Sequence, residues 1–273
     1  MSTAGSEKHF LFASDFDQTL SFHDSGLVLS ELIGASRFAE KVAGLAASNL
    51  VQQGGELAYL IRHDPDFRGV RPEHLAEAGR RVRLRGDIPA LVAFLNRGLP
   101  GYRFSFFVIS AAPKEVVASA LAGVVGADHI FGTRLDYDPH SGEVQAVLQV
   151  PAGYGKVSVL EELGRRNGIA PEQTIYVGDG SSDVHVMLHV NNHAGFTIAV
   201  SENPHLARIA KSTVLSDSAF AVVVPVLEQI VGLRPDEIQA IFEECGLTLR
   251  QQHKASMQRL SVSEAPRPLR QAV

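Results

Sequence analysis

Short apolar runs alternate with longer amphipathic stretches along most of the chain. β-Branched and aromatic residues are concentrated in five runs, which predict strands over Phe10–Ala13, Phe104–Ile109, Ile130–Leu135, Thr174–Val177 and Phe196–Val200. Apolar residues at helical spacing predict helices between them, over Pro113–Val125, Val157–Asn167 and Asp183–Val190. This alternation predicts an α/β fold, in which helices cover both faces of a parallel sheet.

Two segments interrupt the alternation. The turn sequence from Asp138 to Gly142 lies between two short extended stretches of Arg134–Leu148, which predicts a hairpin at the edge of the sheet. Residues 22–85 contain no clear strand and instead predict several helices, among them Ser25–Ile33, Phe38–Gln53 and Pro72–Arg83. We interpret this segment as an inserted helical module.

The C-terminal part of the chain predicts a further region. A helix is expected over Pro235–Cys245, Gly246 would end it, and a second helix is expected to about Leu260, before a Pro-containing tail. The sequence therefore predicts three parts: an α/β core of residues 1–21 and 86–232, a helical cap of residues 22–85, and a helical extension and tail of residues 233–273.

Composition excludes several classes of partner. The formal net charge is −5, so the chain as a whole does not attract nucleic acid or an anionic membrane. No apolar run approaches the roughly 18 residues of a membrane-spanning helix, and the N-terminal residues lack the apolar stretch of a signal peptide. The single cysteine, Cys245, cannot form an intramolecular disulfide. We therefore expect a cytoplasmic protein with a small-molecule partner, for which a homodimer is compatible with the sequence.

Carboxylates follow two of the predicted strands. Asp15 and Asp17 come at the end of the first strand, where alternation points both side chains to the same face. Asp179 and Asp183 follow a later strand. If these two strands are neighbours, four acidic groups converge where parallel sheets bind their ligands. Oxygen ligands alone favour Mg²⁺ over zinc, which takes His or Cys.

Two further positions suit a phosphate-like anion. Ser110 and Ala111 end another predicted strand, directly before a helix that begins at Pro113, so a hydroxyl and backbone N–H groups meet there. Lys156 lies on a loop with flanking glycines that opens the next predicted helix.

The ordered set resembles the haloacid dehalogenase superfamily over nearly the whole chain. The four motifs of that superfamily are DxDx[TV], a Ser or Thr that ends a strand, a Lys, and GDxxxD. This chain matches them in order with Asp15–Thr19, Ser110, Lys156 and Gly178–Asp183. The helical insertion after the first motif resembles the cap of the phosphoserine-phosphatase-like branch. The resemblance implies a Rossmann-like parallel sheet core flanked by helices, with a small α-helical cap domain.

The resemblance also implies a phosphatase mechanism. Asp15 would attack phosphorus to form an aspartyl-phosphate, while Asp17 would protonate the leaving oxygen and then activate water. Mg²⁺ would be held by Asp15, the Asp17 backbone carbonyl and Asp179, with Asp183 close by. The expected function is the Mg²⁺-dependent hydrolysis of a small organic phosphate monoester.

The remaining assignments concern substrate binding. Ser110, Ala111 and Lys156 would hold the phosphoryl oxygens. Phosphoserine phosphatases carry a Glu five residues after the Thr of the first motif for the substrate amine, and an Arg in the cap for its carboxylate. Asp24 stands at the first of these positions and Arg62 at the second. Two other functions stay open: a phosphotransferase or phosphomutase on the same scaffold, and a non-catalytic protein that binds a phosphate ligand.

Overall fold

The computed structural model describes residues 7–254 and 257–264, and side chains as far as Leu249. The strands in these residues are β1 (Lys8–Ser14), β2 (Tyr102–Pro113), β3 (Ile130–Tyr137), β4 (Val144–Gln149), β5 (Thr174–Gly178), β6 (Phe196–Ala199), β7 (Ser212–Leu215), β8 (Leu247–Lys254) and β9 (Met257–Glu264). The α-helices are α1 (Ser25–Ile33), α2 (Phe38–Ser48), α3 (Glu56–His63), α4 (Pro72–Arg81), α5 (Ile88–Arg97), α6 (Lys114–Ala120), α7 (Tyr154–Asn167), α8 (Val184–Asn192), α9 (Pro204–Ile209), α10 (Val223–Val226) and α11 (Pro235–Glu244).

One sheet in the order β4-β3-β2-β1-β5-β6-β7-β9-β8 forms the centre of the molecule. β1 pairs in parallel with β2 and β5, and Ser14 lies opposite Val108 on one side and Val177 on the other. Within the described residues, the antiparallel pairs are β3 with β4 and β8 with β9, and β3 with β4 forms the predicted edge hairpin. The predicted α/β fold is therefore confirmed, and the two strands that precede the acidic pairs are neighbours.

Helices bury both faces of the sheet. Phe10 and Phe12 of β1 belong to one apolar core, and Leu11 and Ala13, which alternate with them, belong to a second core. A strand buried on both sides has a nearly continuous apolar sequence, as β1 has. The packing on both faces fixes the backbone of β1, and therefore fixes the backbone position of Asp15, which directly follows this strand.

Helices α1 to α4 lie between β1 and α5, where the sequence predicts a helical cap. α4 packs so closely on α6 that a Cβ at Gly79 would lie 2.3 Å from the Val116 carbonyl oxygen. The segment before α1 is hydrogen bonded to the segment after α4, since the Phe22 N–H donates to the Arg83 carbonyl at 2.9 Å. The bounds of the cap at residues 22 and 85 stay a prediction.

The predicted second C-terminal helix is wrong. α11 ends at Glu244, Gly246 follows with φ of +73°, and β8 and β9 then form an antiparallel hairpin. β9 pairs in parallel with β7, so the hairpin extends the sheet. The unpaired backbone groups of an edge strand favour such pairing, and helical periodicity does not reveal it. The predicted tail after residue 264 lies outside the described residues.

Within residues 7–254 and 257–264, no helix combines the length and the hydropathy that crossing a membrane requires.

Asp87 ties the start of α5 to the segment before α10. Its carboxylate accepts hydrogen bonds from Ser218 Oγ and from the N–H groups of Ala219 (3.0 Å) and Phe220 (3.4 Å). The φ of Asp87 is +59°, a value that glycine adopts without strain. We expect Asp87→Gly to lower the free energy of unfolding by about 1–3 kcal/mol, measured by urea denaturation, because three donors lose their acceptor.

Asn49→Gly is the matched control, because Asn49 also has a positive φ, of +53°, and is exposed. Its free energy of unfolding is expected to change by no more than about 0.5 kcal/mol. Equal losses in the two variants would contradict a role for the Asp87 carboxylate.

Candidate active site

A cavity of about 310 Å³ lies at the carboxyl ends of β1, β2 and β5. The sheet side contributes residues predicted from three separate strand ends: Asp15, Asp17, Ser110, Ala111 and Asp179. The opposite side, which we call the cap wall, is formed by Asp24, Phe38, Val42, Ala46, Gln53, Gly54, Glu56 and Leu57. The fold thus brings most of the predicted site residues to one cavity.

A fully buried ammonium group joins two of the carboxylates. Lys156 Nζ lies 2.8 Å from Asp15 Oδ2 and 2.6 Å from Asp183 Oδ1. The other oxygen of Asp15 accepts the Phe16 N–H at 2.7 Å. Burial alone would lower the pKa of Lys156, but the charges of the two carboxylates outweigh it and raise that pKa. Lys156 therefore stays charged and fixes the orientation of Asp15.

Asp183 is held by protein groups on both of its oxygens. Oδ1 accepts from Lys156 and from the Tyr176 hydroxyl, each at 2.6 Å, and Oδ2 accepts from two backbone N–H groups at 3.1 Å. A Cβ at Gly178 would lie 2.4 Å from Asp183 Cγ, so a side chain at residue 178 would displace the carboxylate. Asp183 therefore supports Lys156 and the loop after β5 from behind the cavity.

The acidic cluster is suited to a divalent cation. Asp15, Asp179 and Asp183 each present an oxygen within 4.8 Å of the others. Burial, together with neighbouring carboxylates, raises the pKa of Asp15 to about 6 and the pKa of Asp179 to about 8. One lysine does not offset the repulsion among three carboxylates, and a bound cation would lower these pKa values. The oxygen donors fit the predicted Mg²⁺.

Asp17 is held by the first residue of α1. The Ser25 N–H donates to Asp17 Oδ1 and Ser25 Oγ donates to Oδ2, both at 2.9 Å. Burial raises the pKa of Asp17 well above its ordinary value, and the charges of Asp24 and Asp15 raise it further. A carboxyl group in this setting favours the protonated form, which a general acid needs.

The end of β2 presents a hydroxyl at the cavity. Ser110 is buried, and its Oγ accepts the Ala112 N–H at 3.1 Å, which leaves the hydroxyl hydrogen available for a ligand. The Ala111 carbonyl accepts the Thr133 hydroxyl at 2.6 Å, so neighbouring β3 fixes this strand end. Ser110 and Ala111 both line the cavity, where the sequence predicts phosphoryl binding.

The structure separates the two residues predicted to contact the leaving group. Asp24 lines the cavity, and its Oδ1 also caps α1 by accepting the N–H groups of Gly26 (2.7 Å) and Leu27 (3.3 Å). Arg62 is exposed in the last turn of α3 and does not line the cavity. The structure therefore does not bring Arg62 to the cavity that Asp24 lines.

Several residues of the site were not predicted from the sequence. Glu56 lines the cap wall although a glutamate in a helix is usually exposed, and no sequence signal distinguishes it. Tyr176 lies on β5, which precedes Asp179, and its place two residues before Gly178 is the one sequence signal for it. Ser25 follows the helix-capping Asp24, and that capping pattern is the one signal for it.

The loop between α2 and α3 brings the cap wall against the sheet side. α2 ends at Ser48, earlier than the predicted Gln53, because Asn49 adopts the left-handed conformation that ends helices. In the following loop, a Cβ at Gly54 would lie 3.0 Å from the Cβ atoms of both Ala152 and Ser182. The cap wall is therefore in close contact with the loops of the core.

The sequence is similar to a family of hydrolases and to a phosphoserine phosphatase. The family model of haloacid dehalogenase-like hydrolases matches residues 12–188. A phosphoserine phosphatase of Archaeoglobus fulgidus is 25% identical over 217 residues, which cover 80% of this chain and 59% of that protein. The chain therefore spans less than two thirds of the length of this relative.

Solved structures show the same fold. A substrate-bound phosphoserine phosphatase complex is 21% identical, with a TM-score of 0.61 over 82% of this chain and 99% of that one. A phospho-aspartyl intermediate analogue of phosphoserine phosphatase is 22% identical, with a TM-score of 0.61 over 81% and 98%. Since the family model covers more than half of the residues and the four motif positions meet at one site, the chain belongs to the haloacid dehalogenase-like hydrolases, as its sequence predicts.

Proposed function

We propose that this protein is a Mg²⁺-dependent phosphatase that hydrolyses a small organic phosphate monoester through an aspartyl-phosphate on Asp15. The observation that carries the proposal is the Asp15 carboxylate, which lines the cavity and is oriented by Lys156 at 2.8 Å, with Asp17 two residues further along. Likeness to phosphoserine phosphatases, one of them a phospho-aspartyl intermediate analogue, supports a covalent step of this kind.

The chemistry requires two roles from neighbouring carboxyl groups. An oxygen of Asp15 forms a bond to phosphorus while the bond from phosphorus to the ester oxygen breaks, and Asp17 gives its proton to that departing oxygen. Asp17, now ionised, takes a proton from the water that attacks the aspartyl-phosphate. Inorganic phosphate leaves, and Asp15 is again a carboxylate.

The other residues position the phosphoryl group and balance charge. Lys156 is fully buried and does not line the cavity, so it would act on the phosphoryl group by orienting Asp15 and offsetting its charge, while the Ser110 hydroxyl would donate to a phosphoryl oxygen. Asp15, the Asp17 backbone carbonyl and Asp179 would hold Mg²⁺. When bound, the ion neutralises negative charge on the carboxylates and the phosphoryl oxygens.

Asp15→Asn tests the nucleophile. An amide oxygen is a poor nucleophile toward phosphorus, so we expect kcat to fall by a factor on the order of 10³ or more, while far-UV circular dichroism stays unchanged. Phosphate release with p-nitrophenyl phosphate measures the loss. Activity within tenfold of the parent would remove Asp15 from this role.

Removal of the metal tests the acidic cluster. We expect excess chelator to abolish phosphate release and Mg²⁺ to restore it, because the carboxylates and the phosphate repel each other without a cation. Ca²⁺ should inhibit, since its larger and more flexible coordination shell misplaces the nucleophile. Full activity in a sample shown by elemental analysis to hold no metal would contradict the assignment.

Ser25→Ala tests how Asp17 is oriented. The variant keeps the backbone hydrogen bond to Asp17 Oδ1 and loses the hydroxyl bond to Oδ2. We expect kcat to fall about tenfold for an alkyl phosphate, whose leaving oxygen needs a proton, and less for p-nitrophenyl phosphate, whose leaving group does not.

Ser30→Ala is the matched control on the same helix. Ser30 is also buried, and its hydroxyl bonds only to the Leu27 carbonyl within α1. It should leave the ratio of the two rates unchanged. If Ser25→Ala lowers both rates by the same factor, Ser25 supports the fold rather than the proton transfer.

A further inference from the structure

The cap wall carries negative charge that has no role in the proposed transfer of the phosphoryl group. Asp24 and Glu56 contribute carboxylates, Gln53 contributes one amide, and the remaining side chains are apolar. No Lys, Arg or His lines the cavity among the residues that the structure describes. A leaving group bound here therefore faces two anionic groups and no cationic side chain.

Glu56 is the more unusual of the two carboxylates. Its exposure is 8%, and Oε2 accepts the Gly54 N–H at 2.7 Å. No cation pairs with Glu56 in the described part of the chain, although it lines the cavity. Acidic side chains are almost never this buried unless they are paired. The missing partner is consistent with a cation that arrives with the ligand.

Asp24 lies in a small apolar corner of the same wall. A Cβ at Gly26 would lie 2.6 Å from Phe38 Cζ, 3.0 Å from Asp24 Oδ1 and 3.2 Å from Leu57 Cδ2. Glycine therefore allows an aromatic ring, a leucine and a carboxylate to meet at the start of α1. Ammonium groups bind to such combinations, since carboxylates attract their charge and aromatic faces and methyl groups receive their carbon atoms.

We propose that the leaving group carries an alkylammonium and no carboxylate, so that the substrate is the phosphate monoester of an amino alcohol. This inference rests on the proposed phosphatase function and adds the class of substrate. Lys156 and a divalent cation would offset the carboxylates at the strand ends, whereas no cationic side chain in the described residues pairs with Asp24 or Glu56. The ammonium binds between them, and the phosphoryl group reaches Asp15.

A carboxylate on the leaving group would be disfavoured by the same wall. Asp24 and Glu56 repel a negative charge, and the side chain that the sequence suggested for a substrate carboxylate, Arg62, is exposed outside the cavity. The ester of a simple amino alcohol should therefore be preferred over the ester of an amino acid with the same phosphate group.

A panel of four esters with Mg²⁺ tests the inference in the unaltered protein: ethanolamine phosphate, choline phosphate, serine phosphate and glycerol phosphate. We expect kcat/KM for at least one ammonium ester to exceed that for glycerol phosphate and for serine phosphate by roughly 10- to 100-fold. Preference for ethanolamine phosphate indicates hydrogen bonds to the carboxylates, and preference for choline phosphate indicates contact with the Phe38 ring.

Glu56→Gln tests the carboxylate that carries the argument. Glutamine keeps an acceptor for the Gly54 N–H, and Asp24→Asn likewise keeps a helix cap, so both variants are expected to fold, as thermal unfolding checks. Each should lower the ratio of kcat/KM for the preferred ammonium ester to that for glycerol phosphate by about 10-fold or more. Glu31→Gln, on the exposed part of α1, removes the same charge and should leave the ratio unchanged.

The outcomes separate this inference from the proposed function. Suppose that glycerol phosphate is hydrolysed, and that serine phosphate is hydrolysed as fast as both ammonium esters or faster. This result overturns the substrate class and leaves the phosphatase function standing. An unchanged ratio in both Glu56→Gln and Asp24→Asn also overturns it. Absence of phosphate release from all four esters, by contrast, overturns the phosphatase function itself.

Discussion

The buried ion pairs of Lys156 are the contacts on which the rest of the site depends. Moving an ammonium and two carboxylates out of water costs several kcal/mol per ion, which only close and fully bonded partners offset. Lys156 meets this condition with Asp15 and Asp183. The Tyr176 hydroxyl and backbone N–H groups donate the remaining hydrogen bonds to the Asp183 carboxylate. None of these groups can turn away without leaving a buried charge unpaired. The orientation of Asp15, the proposed nucleophile, is therefore set before any substrate binds.

That network is possible because of the sheet beneath it. Asp15 and the loop with Asp183 follow neighbouring parallel strands that are packed on both faces, so their backbones meet at one edge. Gly178 then lets the Asp183 carboxylate fold back against the chain. The same convergence buries several carboxylates together, and burial first, with neighbouring carboxylates, raises the pKa of Asp15 and of Asp179. A bound cation would favour the ionised form of both groups.

Features that depend on local sequence could be predicted, and those that depend on distant packing could not. The strand ends and motif residues follow from short patterns, and the neighbouring strands bring them together. The pairing of β9 with β7 depends on an edge formed by a distant strand, which a helical pattern near residue 250 does not reveal. The exposure of Arg62, which does not line the cavity, likewise depends on how α3 packs. Glu56 is buried where the loop before α3 contacts loops that are distant in sequence.

In the proposed mechanism, the start of α1 would join recognition of the leaving group to its protonation. Asp24 caps this helix and lines the cavity, and Ser25, the next residue, bonds both oxygens of Asp17. A helix end is rigid over one turn because its backbone N–H groups are tied to the cap. In the proposed mechanism, a leaving group that contacts Asp24 lies one residue from the group that orients Asp17. Selectivity in binding and selectivity in proton transfer would therefore depend on the same helix end.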